Sequence, residues 1–298
     1  MQLGAMIPQN DIGGSAAALR SFAAAAEEYG YDYLLAADHV LGVNTASRPD
    51  WPRERNTSAD LFHDPFVMFG FLAGVTKLGF ATGVLILAQR QAVLAAKQAA
   101  SLAVLCGGKF RFGVGVGWNP VEFTGLNENF HDRGRRSEEQ VQVMQALWAS
   151  PHVDFTGRWH RIEDAGINPL PPGGRVPVWF GGHHENTLRR IARWGDGWMM
   201  LAHPAGPEAQ TAFDTLRRLT EAAGRDPGSI GIEIWTSTGA GTEADWREEF
   251  LFWKRAGVSH VTVASTHGRG GHVRIAGRTL ADHIDALRCY RDAVADLL

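Results

Sequence analysis

One feature constrains this chain more than any other: short apolar runs of strand length alternate with helix-length amphipathic stretches, eight times from end to end. The runs are QLGAMIP, YDYLLAADHV, LGFATGVLIL, KFRFGVGVGW, PVWFGG, GWMML, IGIEIWTS and HVTVAST. The helix after the first run has Ser15 as its N-cap and Gly30 as its stop signal. The helix after the second has Asp64 as cap and Pro65 at its first position. Such alternation predicts a parallel α/β fold, and eight units predict a (β/α)8 TIM barrel, which needs about 250 residues. The chain has 298, so insertion loops take up the remainder. Residues 41–63, polar and irregular, follow the second strand, on the face where barrel chemistry is done. Residues 151–176 follow a helix and therefore start on the opposite face. No linker, repeat or low-complexity tract divides the chain, so a single domain over 1–298 is expected, with a doubly wound open sheet as the alternative.

Charge and composition remove several function classes. A net charge of −3 gives no electrostatic case for nucleic acid or an anionic membrane as partner. The opening MQLGAMIPQND has no basic n-region or long apolar run, so a cytoplasmic protein is expected. The two cysteines, Cys106 and Cys289, form no ligand spacing and are expected as buried thiols. A Schiff-base barrel aldolase needs a lysine at the inner end of a strand, and Lys77, Lys97, Lys109 and Lys254 all lie elsewhere. A metal-dependent hydrolase wants histidines at strand ends, and LGAMIP carries none.

The fourth strand is unusual. Phe110, Phe112, Val114, Val116 and Trp118 alternate with Gly113, Gly115 and Gly117, so one face is bulky and the other bare. The dinucleotide pattern GxGxxG fails, because Trp118 or Pro120 stands where its third glycine belongs, and no helix is expected to open directly after the glycines. Two readings stay open: tight packing in a barrel layer, or close approach of the backbone to a flat or anionic ligand. At the end of the second strand, Asp38 and His39 sit where barrel chemistry is done, and His39 is a candidate acid or base. Neighbouring strand residues point oppositely, so the two cannot both face the lumen. Gly181, Gly182 and His183 can present backbone N–H groups at a helix start, an anion site or an ordinary turn. The pair His183–His184 has no third ligand placed, so no metal site is expected. The segment after the last strand gathers His267, Arg269, His272 and Arg274 among glycines, as lid, phosphate contact or solvated loop.

Taken in order, AADHV, ATGVLILAQR, FRFGVGVGWNPVEF, RGRRSEEQVQVMQALW, FTGRWHRIEDAGINPLPP, PVWFGG and WGDGW resemble the luciferase-like monooxygenase superfamily, in particular its coenzyme F420-dependent branch. The resemblance runs nearly the full length. It implies a TIM barrel with a deazaflavin or flavin across the C-terminal mouth. It also implies an F420-dependent oxidoreductase acting on a small organic substrate, with an FMN-dependent monooxygenase as the alternative. By position it assigns His39 to proton transfer and Asp38 to the cofactor. It makes Gly83–Val84 the step that in many members is a non-prolyl cis peptide behind the ring. Gly115, Val116 and Gly117 then contact the cofactor, and Gly181, Gly182 and His183 lie on its phosphate side. Trp118, Asn119 and Glu122 are expected to line the substrate pocket, covered by Trp51, Arg53 and Arg55. Where the family's sugar-phosphate dehydrogenases carry a Trp after the Asp–His pair and a Glu after the glycines, this chain has VLGVN and Trp118, which argues against that substrate. A homodimer is implied by the resemblance alone.

Overall fold

A computed structural model describes residues 1–51, 56–266 and 271–298; Arg53, Arg55, His267 and Arg269 lie outside the described residues. The chain opens with β1 (Gln2–Met6), a helical turn α1 (Gln9–Ile12) and α2 (Ala16–Glu28). Ser15 caps α2 by accepting from the Ala18 N–H at 3.2 Å. After β2 (Tyr33–Ala36) and the 41–63 insertion, Asp64 caps α3 (Pro65–Ala73) and Pro65 occupies its first turn. The expected third strand forms as two pieces, β3 (Gly79–Thr82) and β4 (Leu85–Ile86), interrupted at a cis Gly83–Val84 bond. Then come α4 (Ala92–Leu105), β5 (Phe110–Gly115), α5 (Pro120–Gly125) and α6 (Arg133–Ala149). A hairpin of β6 (Val153–Thr156) and β7 (Arg161–Ala165) precedes β8 (Val178–Gly181) and α7 (Glu185–Trp194). The chain ends through β9 (Gly197–Met199), α8 (Pro207–Ala222), β10 (Gly231–Thr236), α9 (Glu243–Arg255), β11 (His260–Val263) and α10 (Leu280–Ala293).

Apart from the hairpin, the strands form one parallel sheet in the order β3-β2-β1-β11-β10-β9-β8-β5-β4, and β3–β5 pairing closes it into a ring. With β3 and β4 as one interrupted strand, this is the (β/α)8 barrel. Alternation along each strand decides inside from outside. Phe110, Phe112 and Val114 of β5 pack outward against the helices, together with Leu34, Phe80, Val178, Phe180 and Val261. Met6, Leu35, Ala81, Trp179, Met199 and Ala264 fill the lumen. Each large outward side chain contributes about 1.5–3 kcal/mol by leaving water.

The lumen is not wholly apolar. Tyr33 opens β2 and Arg111 is the second residue of β5, and with Glu233 and Thr262 they form a polar cluster at the floor of the lumen. Arg111 Nη1 donates to Glu233 Oε2 at 2.6 Å, and its guanidinium lies 4.3 Å from the Tyr33 ring and 4.6 Å from that of Trp179. The Tyr33 hydroxyl donates to Thr262 Oγ1, which donates to Glu233. Gly4 makes room for the Tyr33 ring, and Gly197 and Gly231 for Trp179. Removing one partner of such a buried pair costs about 3–5 kcal/mol, because the other charge is stranded.

A short helix, α5, follows the glycines only after the non-helical Trp118 and Asn119, opening at Pro120 because Asn119 caps it through the Val121 N–H and Pro120 fits its first position. Helix α6 begins at Arg133 and is held by the buried Arg136, whose guanidinium binds Asp132, Glu128 and the Asn129 carbonyl. The 151–176 insertion leaves the bottom of the barrel as expected. Its hairpin then climbs beside α6, where Glu139 accepts from the N–H groups of Arg158, Trp159 and His160. Both cysteines are free thiols but only half-buried, and burial raises the pKa of each. No helix among the described residues is long and apolar enough to cross a membrane.

Candidate active site

The bare face of β5 points into the lumen, and protein fills it. A Cβ on Gly113 would collide with the Thr82 carbonyl oxygen and the Met199 side chain. A Cβ on Gly115 would lie 2.5 Å from Val84 Cγ2, and one on Gly181 would lie 2.8 Å from Val84 Cγ1. The immediate neighbour of Gly115 and Gly181 is therefore the half-buried Val84, delivered between β5 and β8 by the interruption of the third strand. Gly117 turns the chain with φ of 71° against Ile86 and Phe123. Gly182, at φ 114°, is exposed, and its carbonyl accepts from the Trp198 indole N–H at 2.7 Å. His183 is exposed beside it, while His184 is spent as the N-cap of α7, its Nδ1 accepting from the Asn186 N–H. No group of three potential metal ligands occurs among the described residues.

Asp38 and His39 part company. Asp38 is buried, with Oδ1 2.8 Å from Arg90 Nη2 and Oδ2 accepting from the Ile86 N–H at 3.1 Å. Arg90 also binds Asp64, the cap of α3, at 2.9 Å. Burial raises the Asp38 carboxyl above its ordinary value despite the pull of Arg90. Its carboxylate thus ties β2 to β4 from behind. His39 turns toward the mouth, edge-on to Phe62 (4.8 Å between ring centres) and to Trp118 (6.3 Å). Trp51, from the insertion, lies 5.6 Å from Trp118.

Behind His39 stands Glu122. Its carboxylate lies 3.3 Å from His39 Nδ1 and accepts from the N–H groups of Val40 (2.8 Å) and Leu41 (3.3 Å) and from Gln89 Nε2 (3.2 Å). Burial pushes this carboxyl up, but the hydrogen bonds from His39, Val40 and Gln89 prevail and hold it below its ordinary value. Asn119 and Glu122 are both fully buried. Asn119, expected with Glu122 to line a substrate pocket, caps a helix, and Glu122 faces His39.

Among the expected site residues, the structure gathers His39, Glu122, Trp118 and Trp51 on one side of the mouth. Val84, with Gly115 and Gly181, forms another wall, continuing to the exposed Gly182–His183 turn. The tail of the 267–274 segment faces elsewhere: His272 pairs with Glu249 at 2.9 Å and Arg274 with Asp11 at 2.7 Å. Gln89 and Arg90 carry central contacts that sequence reasoning left unassigned; their signal was two polar residues closing the apolar LILAQR.

Residues 1–284 match the family profile of luciferase-like monooxygenases. An uncharacterized protein of Mycobacterium tuberculosis is 33% identical over 211 residues, 68% of this chain and 71% of its own. The chain belongs to the luciferase-like monooxygenase family. Its relatives include pyrimidine monooxygenase RutA of Allorhizobium ampelinum (29% identical; 69% of this chain, 55% of that protein). They also include the F420-dependent hydroxymycolic acid dehydrogenase of Mycobacterium tuberculosis (27%; 72% and 56%). The fold matches an F420-dependent secondary alcohol dehydrogenase with a TM-score of 0.77 at 18% identity, covering 98% of each chain. Luciferase-like family members are oxidoreductases or monooxygenases, so this chain is an enzyme of that kind.

A flat conjugated cofactor suits the mouth. The Val84 side chain, seated against Gly115 and Gly181, offers an apolar support, and the Gly182–His183 turn precedes a helix N-terminus. Among the described residues, the buried Trp51 Nε1 and Gln89 Oε1 have no hydrogen-bond partner, and such orphans near a cleft are natural anchors for a polar ligand edge.

Proposed function

We propose that the protein is an F420-dependent oxidoreductase that moves a hydride between the deazaflavin and a small organic substrate. The observation that carries this reading is His39, half-buried in an aromatic wall with Nδ1 against Glu122 and no partner for Nε2 among the described residues. That arrangement leaves one ring nitrogen to exchange a proton with a substrate. The F420-dependent dehydrogenases among the relatives and the solved structures support the deazaflavin.

When bound, the deazaflavin supplies the hydride chemistry. Val84 would support its ring, and the backbone of Gly83, Gly115, Val116 and Gly117 would flank it. Gly181, Gly182 and His183 would take its phosphate side. Asp38 serves indirectly, holding the strand interruption in place through Ile86 and Arg90. Trp118 and Trp51 would cover the substrate and exclude water. A cytoplasmic homodimer completes the reading. The relationship to a pyrimidine monooxygenase favours a second reading, an FMN-dependent oxygenase.

Titration of the purified protein with F420 and separately with FMN, followed by tryptophan fluorescence, decides between them. Preference for F420 is expected. Preference for FMN, with oxygen uptake, moves the protein to the oxygenase side, and binding of neither overturns both readings.

A further inference from the structure

Glu122 was expected in a substrate pocket, and its burial opposite His39 asks for another role. We propose that Glu122 is the positioning residue of the active site: it keeps the His39 proton on Nδ1, so that Nε2 is the nitrogen that exchanges protons with substrate. The inference rests on the role given to His39 above.

The carboxylate's own contacts carry it. Oε1 accepts from the Val40 and Leu41 N–H groups and Oε2 from Gln89 Nε2, at 2.8, 3.3 and 3.2 Å. All three partners donate to the carboxyl, which favours its ionised form, and these bonds hold it below its ordinary value. An ionised carboxylate has no proton to offer, so His39 Nδ1, 3.3 Å from Oε1 and 3.4 Å from Oε2, must be the donor. Free imidazole has no such constraint. A neutral ring with Nδ1–H carries its lone pair on Nε2, and when Nε2 accepts a proton the imidazolium lies against a buried counter-charge. Gln89 and the backbone of residues 40 and 41 fix the carboxylate itself. Phe62 and Trp118, edge-on to the ring, oppose its rotation.

A merely structural Glu122 would staple α5 to the loop after β2 and leave the imidazole tautomer alone. Nitrogen-15 NMR of histidine-labelled protein separates the two roles, with His39→Asn assigning the signal. The expected result is an Nδ1–H tautomer in the wild type, shifting at least several-fold toward Nε2–H in Glu122→Gln. Glu122→Asp, which keeps the charge but withdraws it by one methylene, should fold even if the glutamine variant does not, and should shift in the same direction. An Nε2–H wild type, or a tautomer ratio unchanged in both variants, overturns the proposal. F420 titrations on the same samples keep the two readings apart. Failure of the wild type to bind F420 strikes the cofactor assignment and leaves the tautomer result standing. Intact F420 binding with an unchanged tautomer strikes Glu122 alone.

Discussion

His260 shows how a single half-buried side chain sets a pH limit on the whole fold. It starts β11 on the barrel floor, edge-on to Trp179 at 4.8 Å, with Nδ1 2.8 Å from Ser259 Oγ. Burial, aided by the positive charge of Arg111, pushes its pKa down to about 2. Folded His260 therefore stays neutral where the unfolded chain, with a value of about 6.5, takes up a proton. The unfolded state binds the extra proton, so stability falls as pH drops. The contribution is complete above the unfolded value and fades at about 1.4 kcal/mol per pH unit below it. At pH 5 the loss from this group is about 2 kcal/mol. Urea melts at pH 7.5 and pH 5 should show a smaller acid loss in His260→Gln than in the wild type. An equal loss in both would mean that His260 is protonated without penalty.

At the scale of elements, the fourth predicted strand carries the test. Gly115 and Gly181 leave between them the space that Val84 fills. Gly115→Ala should thus overpack the mouth, costing about 1–3 kcal/mol and weakening F420 binding. Val84→Ala in the same chain removes the opposing methyl groups and should restore most of the stability, a coupling read from the double-mutant cycle. Purely additive effects would show that Val84 is not what Gly115 accommodates. The two faces of this strand were legible in the sequence because alternation is a local property: Phe110, Phe112 and Val114 do pack outward. What filled the bare face was not legible, since Val84 arrives from another strand about thirty positions earlier and its approach depends on the barrel's closure. The same limit explains Glu122. Asn119, Pro120 and Glu122 spell a helix start, with the acid where a capping box would place it. Local reasoning would turn that carboxylate back on its own helix, yet it reaches the loop after β2, a long-range contact that no local pattern encodes. The eight-unit architecture, the caps at Ser15 and Asp64 and the separation of Asp38 from His39 follow from local rules and were readable. The hairpin at 153–165 and the charged floor of Arg111 and Glu233 depend on partners distant in the chain.

On the scale of the whole molecule, the outer surface is uneven. Val67 on α3 and Leu94 and Leu105 on α4 are 71%, 53% and 65% exposed, and Val75, Val93 and Val104 beside them are exposed too. Val67 and Phe71 lie one turn apart on α3, with Val75 just past its end, and Leu94 and Leu105 lie on one side of α4 with Gln98 and Ser101 between them. The two helices are consecutive around the barrel and pack on each other. Large apolar side chains exposed on neighbouring helices favour association with a partner over contact with water. In the reading of this protein as a homodimer, α3 and α4 supply the self-complementary face that a two-fold contact requires. A stable contact buries about 1,200–2,000 Å² in total, so it would have to extend past these side chains onto their half-buried neighbours, Phe71 and Ser101 among them. The mouth with His39 stays open, because α3 and α4 lie along the barrel wall and not across its C-terminal end. Light scattering after size exclusion should give a dimer for the wild type. Val67→Glu with Leu94→Glu should give a folded monomer that still binds F420, since neither side chain reaches the lumen. A wild type that stays monomeric at all accessible concentrations would end the dimer reading, and a double variant that stays dimeric would move the interface to another face.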